Sequence, residues 1–216
     1  MKRLVIFLTI LAGLVLAGCP QQAPPNRGVY LLLDTSGTYT KELDKAQRII
    51  SFILARLNPG DSFAVARIDT GSFSEKDIIA RTSFEDRPSV ANQQKRRFRD
   101  KVGKFIDNVE PAKHTDISGG VLQATEWLNE VDPGQKVVLV FSDMKEDLPE
   151  NYVRDVPFEL SGVEVVALNV TKLRSDIVDP RKYLGRLEQW QKRVEQAGGQ
   201  WRVINDLDHM TGLFSG

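Results

Sequence analysis

Cysteine occurs once, at Cys19, which excludes any disulfide within the chain and leaves the packed core to stabilise it. Charge of one sign is equally lacking: 29 Lys and Arg balance 29 Asp and Glu, so no global field draws the chain to nucleic acid or acidic substrates. No apolar run is long enough to span a bilayer, since Leu4 to Gly18 falls short of the roughly 20 residues such a helix needs. Enzyme motifs are missing too. There is no G-x-x-x-x-G-K-[ST] phosphate loop, no G-x-S-x-G elbow and no H-E-x-x-H pair.

What stands at the start is a positive Met1-Lys2-Arg3, an apolar Leu4 to Ala17 and small residues after it, the pattern of a secretory signal. Its end, Leu16-Ala17-Gly18-Cys19, resembles a bacterial lipobox. That resemblance implies a signal peptide over 1–18 and an acylated Cys19 as the first residue of the mature chain. Residues 19–27 then read as a tether, because Pro20 to Arg27 is rich in Pro and Gln without an apolar period. Residues 28–216 have the length of one domain. The expected location is the bacterial cell envelope, with the chain held to a membrane through Cys19.

Gly28 to Thr38, GVYLLLDTSGT, organises that domain. Val29 to Leu33 is a short, wholly apolar run bounded by glycines, the signature of a strand buried on both faces. Asp34 falls at its end, and Ser36 and Thr38 follow at two-residue steps, so a tight turn brings three oxygen-bearing side chains toward one point. Such a point suits a hard cation, Mg²⁺ first, which takes oxygen ligands, keeps several waters and is usually held by one or two carboxylates.

Along the remaining chain strand and helix patterns alternate. Leu43, Ala46, Ile50, Ile53, Leu54 and Leu57 predict a helix over Thr40 to Leu57, stopped by Asn58-Pro59-Gly60. Ser62 to Ile68 and Ile78 to Phe84 are β-like runs joined by a connection too short for a crossover helix, so they pair as a hairpin, with Asp69 to Asp77 at the same sheet end as Asp34. Ser89 to Val109 is a helix carrying Lys95, Arg96, Arg97, Arg99, Lys101 and Lys104. The simpler account of that cluster is a solvated face, with anionic headgroup contact left open and nucleic acid disfavoured by an exported location.

Asp116 to Gly120 leads into a helix ended by Asp132-Pro133-Gly134, and Thr115 precedes its N-terminus. The Thr115 hydroxyl either binds a metal or caps the helix, while Asp116 suits a supporting position behind the ligands. His114 does not suit the site, since imidazole favours softer metals. Lys136 to Ser142 and Val163 to Val170 are Val-rich strands, with weak helical signals between them over Pro149 to Leu160. Tyr183 to Ala197 is a helix, Gln200 to Ile204 a strand and Leu207 to Phe214 a short helix. Trp190 and Trp201 read as core. The pattern favours a doubly wound α/β fold: a mostly parallel sheet, helices on both faces and one antiparallel edge hairpin, with ligands at the carboxyl ends of the strands.

An apolar strand running into D-x-S-x-T resembles the metal-ion-dependent adhesion site of von Willebrand factor A domains, whose motif is Asp-x-Ser-x-Ser, then a distant Thr, then a distant Asp. Asp34 and Ser36 match directly, and Thr38 puts another hydroxyl in place of the last Ser. HTDISGGVLQA resembles the second metal loop and points to Thr115; VVLVFSD resembles the strand carrying the third and points to Asp143. Met144 departs from the Gly common in the family. The resemblance implies a non-enzymatic module that binds a divalent cation, Mg²⁺ with Mn²⁺ or Ca²⁺ as alternatives, and a protein partner whose Asp or Glu completes the metal site. The same strand and turn also resemble the haloacid dehalogenase phosphohydrolases. Their D-x-D-x-T needs a second carboxylate where this chain has Ser36, and a hydroxyl of ordinary pKa cannot replace it in acid–base work. A third alternative is an envelope scaffold that uses no metal.

Overall fold

The computed structural model describes residues 26–37, 39, 42–150, 152, 156–168, 179–205 and 209–214. Thr38, the segment 1–25 and most of the Thr171 to Pro180 connection lie outside the described residues. The first strand, β1 (Arg27–Asp34), is buried along its whole length, as its apolar run predicts. It is central, with β2 (Ser62–Ile68) on one side and β4 (Gln135–Phe141) on the other, both parallel to it. Two further strands, β5 (Val163–Leu168) and β6 (Gln200–Ile204), extend the parallel sheet beyond β4. At the far edge β3 (Ile78–Ser83) pairs antiparallel with β2, giving the order β3-β2-β1-β4-β5-β6. This is the doubly wound sheet with one antiparallel edge hairpin.

Alternate residues of β1 feed two cores. Val29, Leu31 and Leu33 face helices α1 (Leu43–Arg56) and α2 (Pro88–Ile106), while Tyr30 and Leu32 face α3 (Ile117–Val131), with α4 (Pro180–Gln196) joining that second layer through Trp190 and Val194. Both layers, and every described strand and helix, are built from residues after Pro25. Among the described residues, no helix is long and apolar enough to cross a membrane.

Several boundaries differ from expectation for physical reasons. Gly119 and Gly120 were expected to lead into a helix but lie inside α3, which begins at Ile117. Gly120 is needed there because a Cβ would stand 2.9 Å from a Leu32 methyl, so the helix can approach β1 closely only without a side chain. The described part of Pro149 to Leu160 holds no helix, in keeping with Pro157 and its effect on the residue before it. The final segment forms a 3₁₀ turn, His209–Leu213, whose Met210 and Leu213 complete the first core.

Candidate functional site

The site grows from the ends of β1 and β4. Their register runs from Arg27 opposite Gln135 to Leu33 opposite Phe141, so one further step sets Asp34 against Ser142. The Ser142 hydroxyl donates to Asp34 Oδ2 at 2.7 Å, and the Ser36 N–H donates to Oδ1 at 2.9 Å. Asp34 is 1% exposed. Asp143 follows Ser142 directly, and its Oδ1 accepts the Lys145 N–H at 2.7 Å. Burial pushes the Asp143 carboxyl above the usual carboxylate range and the Asp34 charge pushes the same way, against the Lys145 N–H and the Arg186 and Lys145 charges.

Thr115 reaches this sheet end through two backbone pairings. Ser36 bridges Ala112, with the Ala112 N–H donating to Thr35 O at 2.8 Å, and Thr115 exchanges two backbone hydrogen bonds with Asp147 at 2.8 and 3.0 Å. Asp34, Ser36 and Asp143 thus stand at the carboxyl ends of β1 and β4, and the backbone pairings bring Thr115 to the same sheet end, while Thr38 lies outside the described residues. Asp116 is fully buried and makes the helix cap itself: Oδ1 accepts the Gly119 N–H at 2.8 Å, and Oδ2 accepts the Ser72 N–H at 2.9 Å. It joins the start of α3 to the loop after β2, which lies at the same sheet end as Asp34. His114 is placed beside Asp147 (Nδ1 to Oδ2 3.4 Å).

Some supporting contacts are not legible in the motifs. Ser142 makes one, since its bond to Asp34 crosses 108 positions of sequence. Met144 adopts a left-handed φ of 62° and is 1% exposed. The residue that replaces the family's common Gly therefore keeps a glycine-like backbone and places its side chain in the second core. Two groups on α4 hold that turn: the Trp190 indole N–H donates to Met144 O at 3.0 Å and Arg186 Nε donates to Asp143 O at 2.8 Å. Trp190 is core, as expected, and also a hydrogen-bond donor. Glu146 is tied to Ser118 by the Ser118 N–H at 2.7 Å and by its hydroxyl, and Arg193 donates to Ser118 Oγ at 2.7 Å. The only polar signal for Arg186 and Arg193 was their place beside the apolar stripe of α4.

Among the described residues, no three His, Cys, Asp or Glu side chains converge to hold a metal. Carboxylates and hydroxyls are the oxygen donors that a hard, partly hydrated cation takes, and Asp34 lies near enough for its charge to act on Asp143. Two mutually repelling, buried carboxylates also leave negative charge for such a cation to neutralise.

No protein-family profile matches the chain, and no curated protein matches it. Solved structures do. The pilus adhesin SpaC from Lactobacillus rhamnosus GG, in its open conformation, aligns over 90% of this chain at 12% identity and a TM-score of 0.53. The von Willebrand factor type A protein from Catenulispora acidiphila aligns over 88% at 10% identity and a TM-score of 0.48. This chain spans 29% of the first and 41% of the second. At these identities the likeness is one of fold alone. With the strand order and D-x-S-x-T at the end of the central strand, it gives the chain a von Willebrand factor A-like α/β fold.

Proposed function

We propose that the chain is a non-enzymatic, metal-dependent protein-binding module carried on a bacterial envelope lipoprotein. The observation that supports the reading is the placement of two buried carboxylates, Asp34 and Asp143, just past the ends of the adjacent strands β1 and β4, at the sheet end to which the pairings of Ser36 and Thr115 also bring those residues. Asp34, Ser36, Thr38, Thr115 and Asp143 would hold a divalent cation, Mg²⁺ before Mn²⁺ or Ca²⁺. A bound cation supplies an electrophilic position that a partner's Asp or Glu completes in a charge-assisted contact.

The rest of the work belongs to the chain. Ser142 and the Ser36 N–H fix the Asp34 carboxylate. The Lys145 N–H orients Asp143, Trp190 and Arg186 hold the turn that carries it, and Asp147 fixes Thr115. The loop Asp69 to Asp77 and the residues after Met144 frame the opening, where variable segments on a rigid sheet select partners. An adhesin among the fold's neighbours is in keeping with such a role. Lipid at Cys19 would keep the module at a membrane of the envelope.

Calorimetric titration with Mg²⁺ and Mn²⁺ of the wild type and of Asp34→Ala tests the metal site. Saturable binding by the wild type and none by the variant, with an unchanged circular dichroism spectrum, is the expected result. Equal binding by both removes the proposal and leaves the scaffold alternative. Anchoring has its own test: Cys19→Ser should leave the membrane fraction, and its retention there at the wild-type level rules the lipobox out.

A further inference from the structure

The groove between α1 and α2 unites the basic cluster of α2 with cations of α1. Its upper part, about 500 Å³, is lined by Arg48, Arg99 and Lys104 with Asp100 and Asp107, and it continues past Ser51 and Arg99 into a second hollow of about 240 Å³ beside Lys95 and Arg96. The two helices together carry nine Lys and Arg against two Asp. Because the whole chain is neutral, the rest of the molecule is acidic. Positive charge is thus densest on the α1 and α2 layer, whose nine Lys and Arg against two Asp exceed the five Lys and Arg against two Glu of α4. Arg48, Arg96, Arg97, Lys101 and Lys104 form no ion pair among the described residues, whereas Arg99 faces Asp100 at 3.6 Å and Lys95 donates to the Leu57 carbonyl.

We infer that this layer is a docking surface for anionic phospholipid headgroups of the membrane that carries the chain, an inference that rests on the lipid-anchored reading above. Position singles out this occupant. The Arg27 N–H donates to Asp61 at 2.7 Å, just past the end of α1, so the domain begins at the same end as the lower hollow with Leu54, Ala55 and Lys95. Seven residues lie between Cys19 and Arg27, and the eight steps from one to the other span at most roughly 29 Å. A chain tethered that closely holds the basic layer within reach of the headgroups, where clustered Lys and Arg add up in a negative surface potential. The strand ends bearing Asp34 and Asp143 lie at the opposite end of the sheet from the tether and stay open.

The test uses the chain from Pro20 without its lipid, which retains every described strand and helix. It is sedimented with vesicles of equimolar phosphatidylglycerol and phosphatidylcholine, and with vesicles of phosphatidylcholine alone. Binding to the first, at least tenfold weaker binding to the second and loss of binding in high salt are expected. Arg96→Glu, Arg97→Glu, Lys101→Glu and Lys104→Glu combined should lower the partition at least tenfold with an unchanged circular dichroism spectrum, while Lys182→Glu with Lys192→Glu on α4 should not. Equal partition into both vesicles, or an undiminished quadruple variant, overturns the inference. So does tighter binding to a single-stranded oligonucleotide than to the anionic vesicles. None of these outcomes depends on acylation, so the inference and the anchor reading fail separately.

Discussion

Met144 and Asp77 each stand under opposing forces. A left-handed backbone costs a non-glycine residue about 1–2 kcal/mol, yet the Met144 side chain fills the second core. Removing a buried side chain of that size costs about 2–5 kcal/mol. Met144→Gly is therefore expected to destabilise the domain by about 1–3 kcal/mol, read as a lower urea midpoint at an unchanged slope. A more stable variant would show that strain outweighs packing there. Asp77 meets Arg67 at 3.1 Å, but its Oδ2 is buried with no hydrogen-bond partner among the described residues, and burial raises its carboxyl above the usual range despite Arg67. The folded state then holds this proton more tightly than the unfolded chain. The stability contributed is full below the unfolded value of about 4 and is lost as pH rises through the folded value. Wild type should lose stability relative to Asp77→Asn as pH rises above about 4, measured by urea unfolding across a pH series; a difference constant with pH would refute the assignment.

Elements followed from the sequence where apolar period and punctuation agree. The bounds of β2 and β6 are those expected, and the hairpin connection does place Asp69 at the end of the sheet that holds Asp34. The three loops that resemble the adhesion-site motif fall at one sheet end because each follows or abuts a strand of the parallel core. Long-range register is not written in local pattern, so the pairing of Ser142 with Asp34 and the grip of Trp190 and Arg186 on the Asp143 turn were not legible. Gly120 is set by packing that local pattern does not show, since a Cβ there would stand against a Leu32 methyl. Gly120→Ala, although it raises helix propensity, should cost about 1–3 kcal/mol through overpacking against β1. Thermal unfolding that shows an equal or higher midpoint would mean that α3 moves away freely. The Asp116 cap is the second anchor of that helix, and Asp116→Ala should cost about 1–3 kcal/mol by losing the cap and leaving the buried Ser72 N–H unpaired.

At the scale of the whole molecule the domain has two ends and two faces with separate duties. In the proposed function its tether end and basic layer would look toward the membrane, and its strand ends, with Asp34 and Asp143, would hold the metal and meet the partner. Ser36 stands where the phosphohydrolase motif carries its acid–base carboxylate, so on the proposed function the purified domain is expected not to turn over an aryl phosphate. Metal-dependent turnover abolished by Asp34→Asn would reverse that conclusion. The central claim is the metal site, and crystals grown with Mn²⁺ address it most directly through the anomalous signal of the ion. The account predicts one strong anomalous peak at the carboxyl ends of β1 and β4, ligated by oxygens drawn from Asp34, Ser36, Thr38, Thr115 and Asp143; crystals that diffract well and show no peak there, or a peak bound elsewhere, would contradict it.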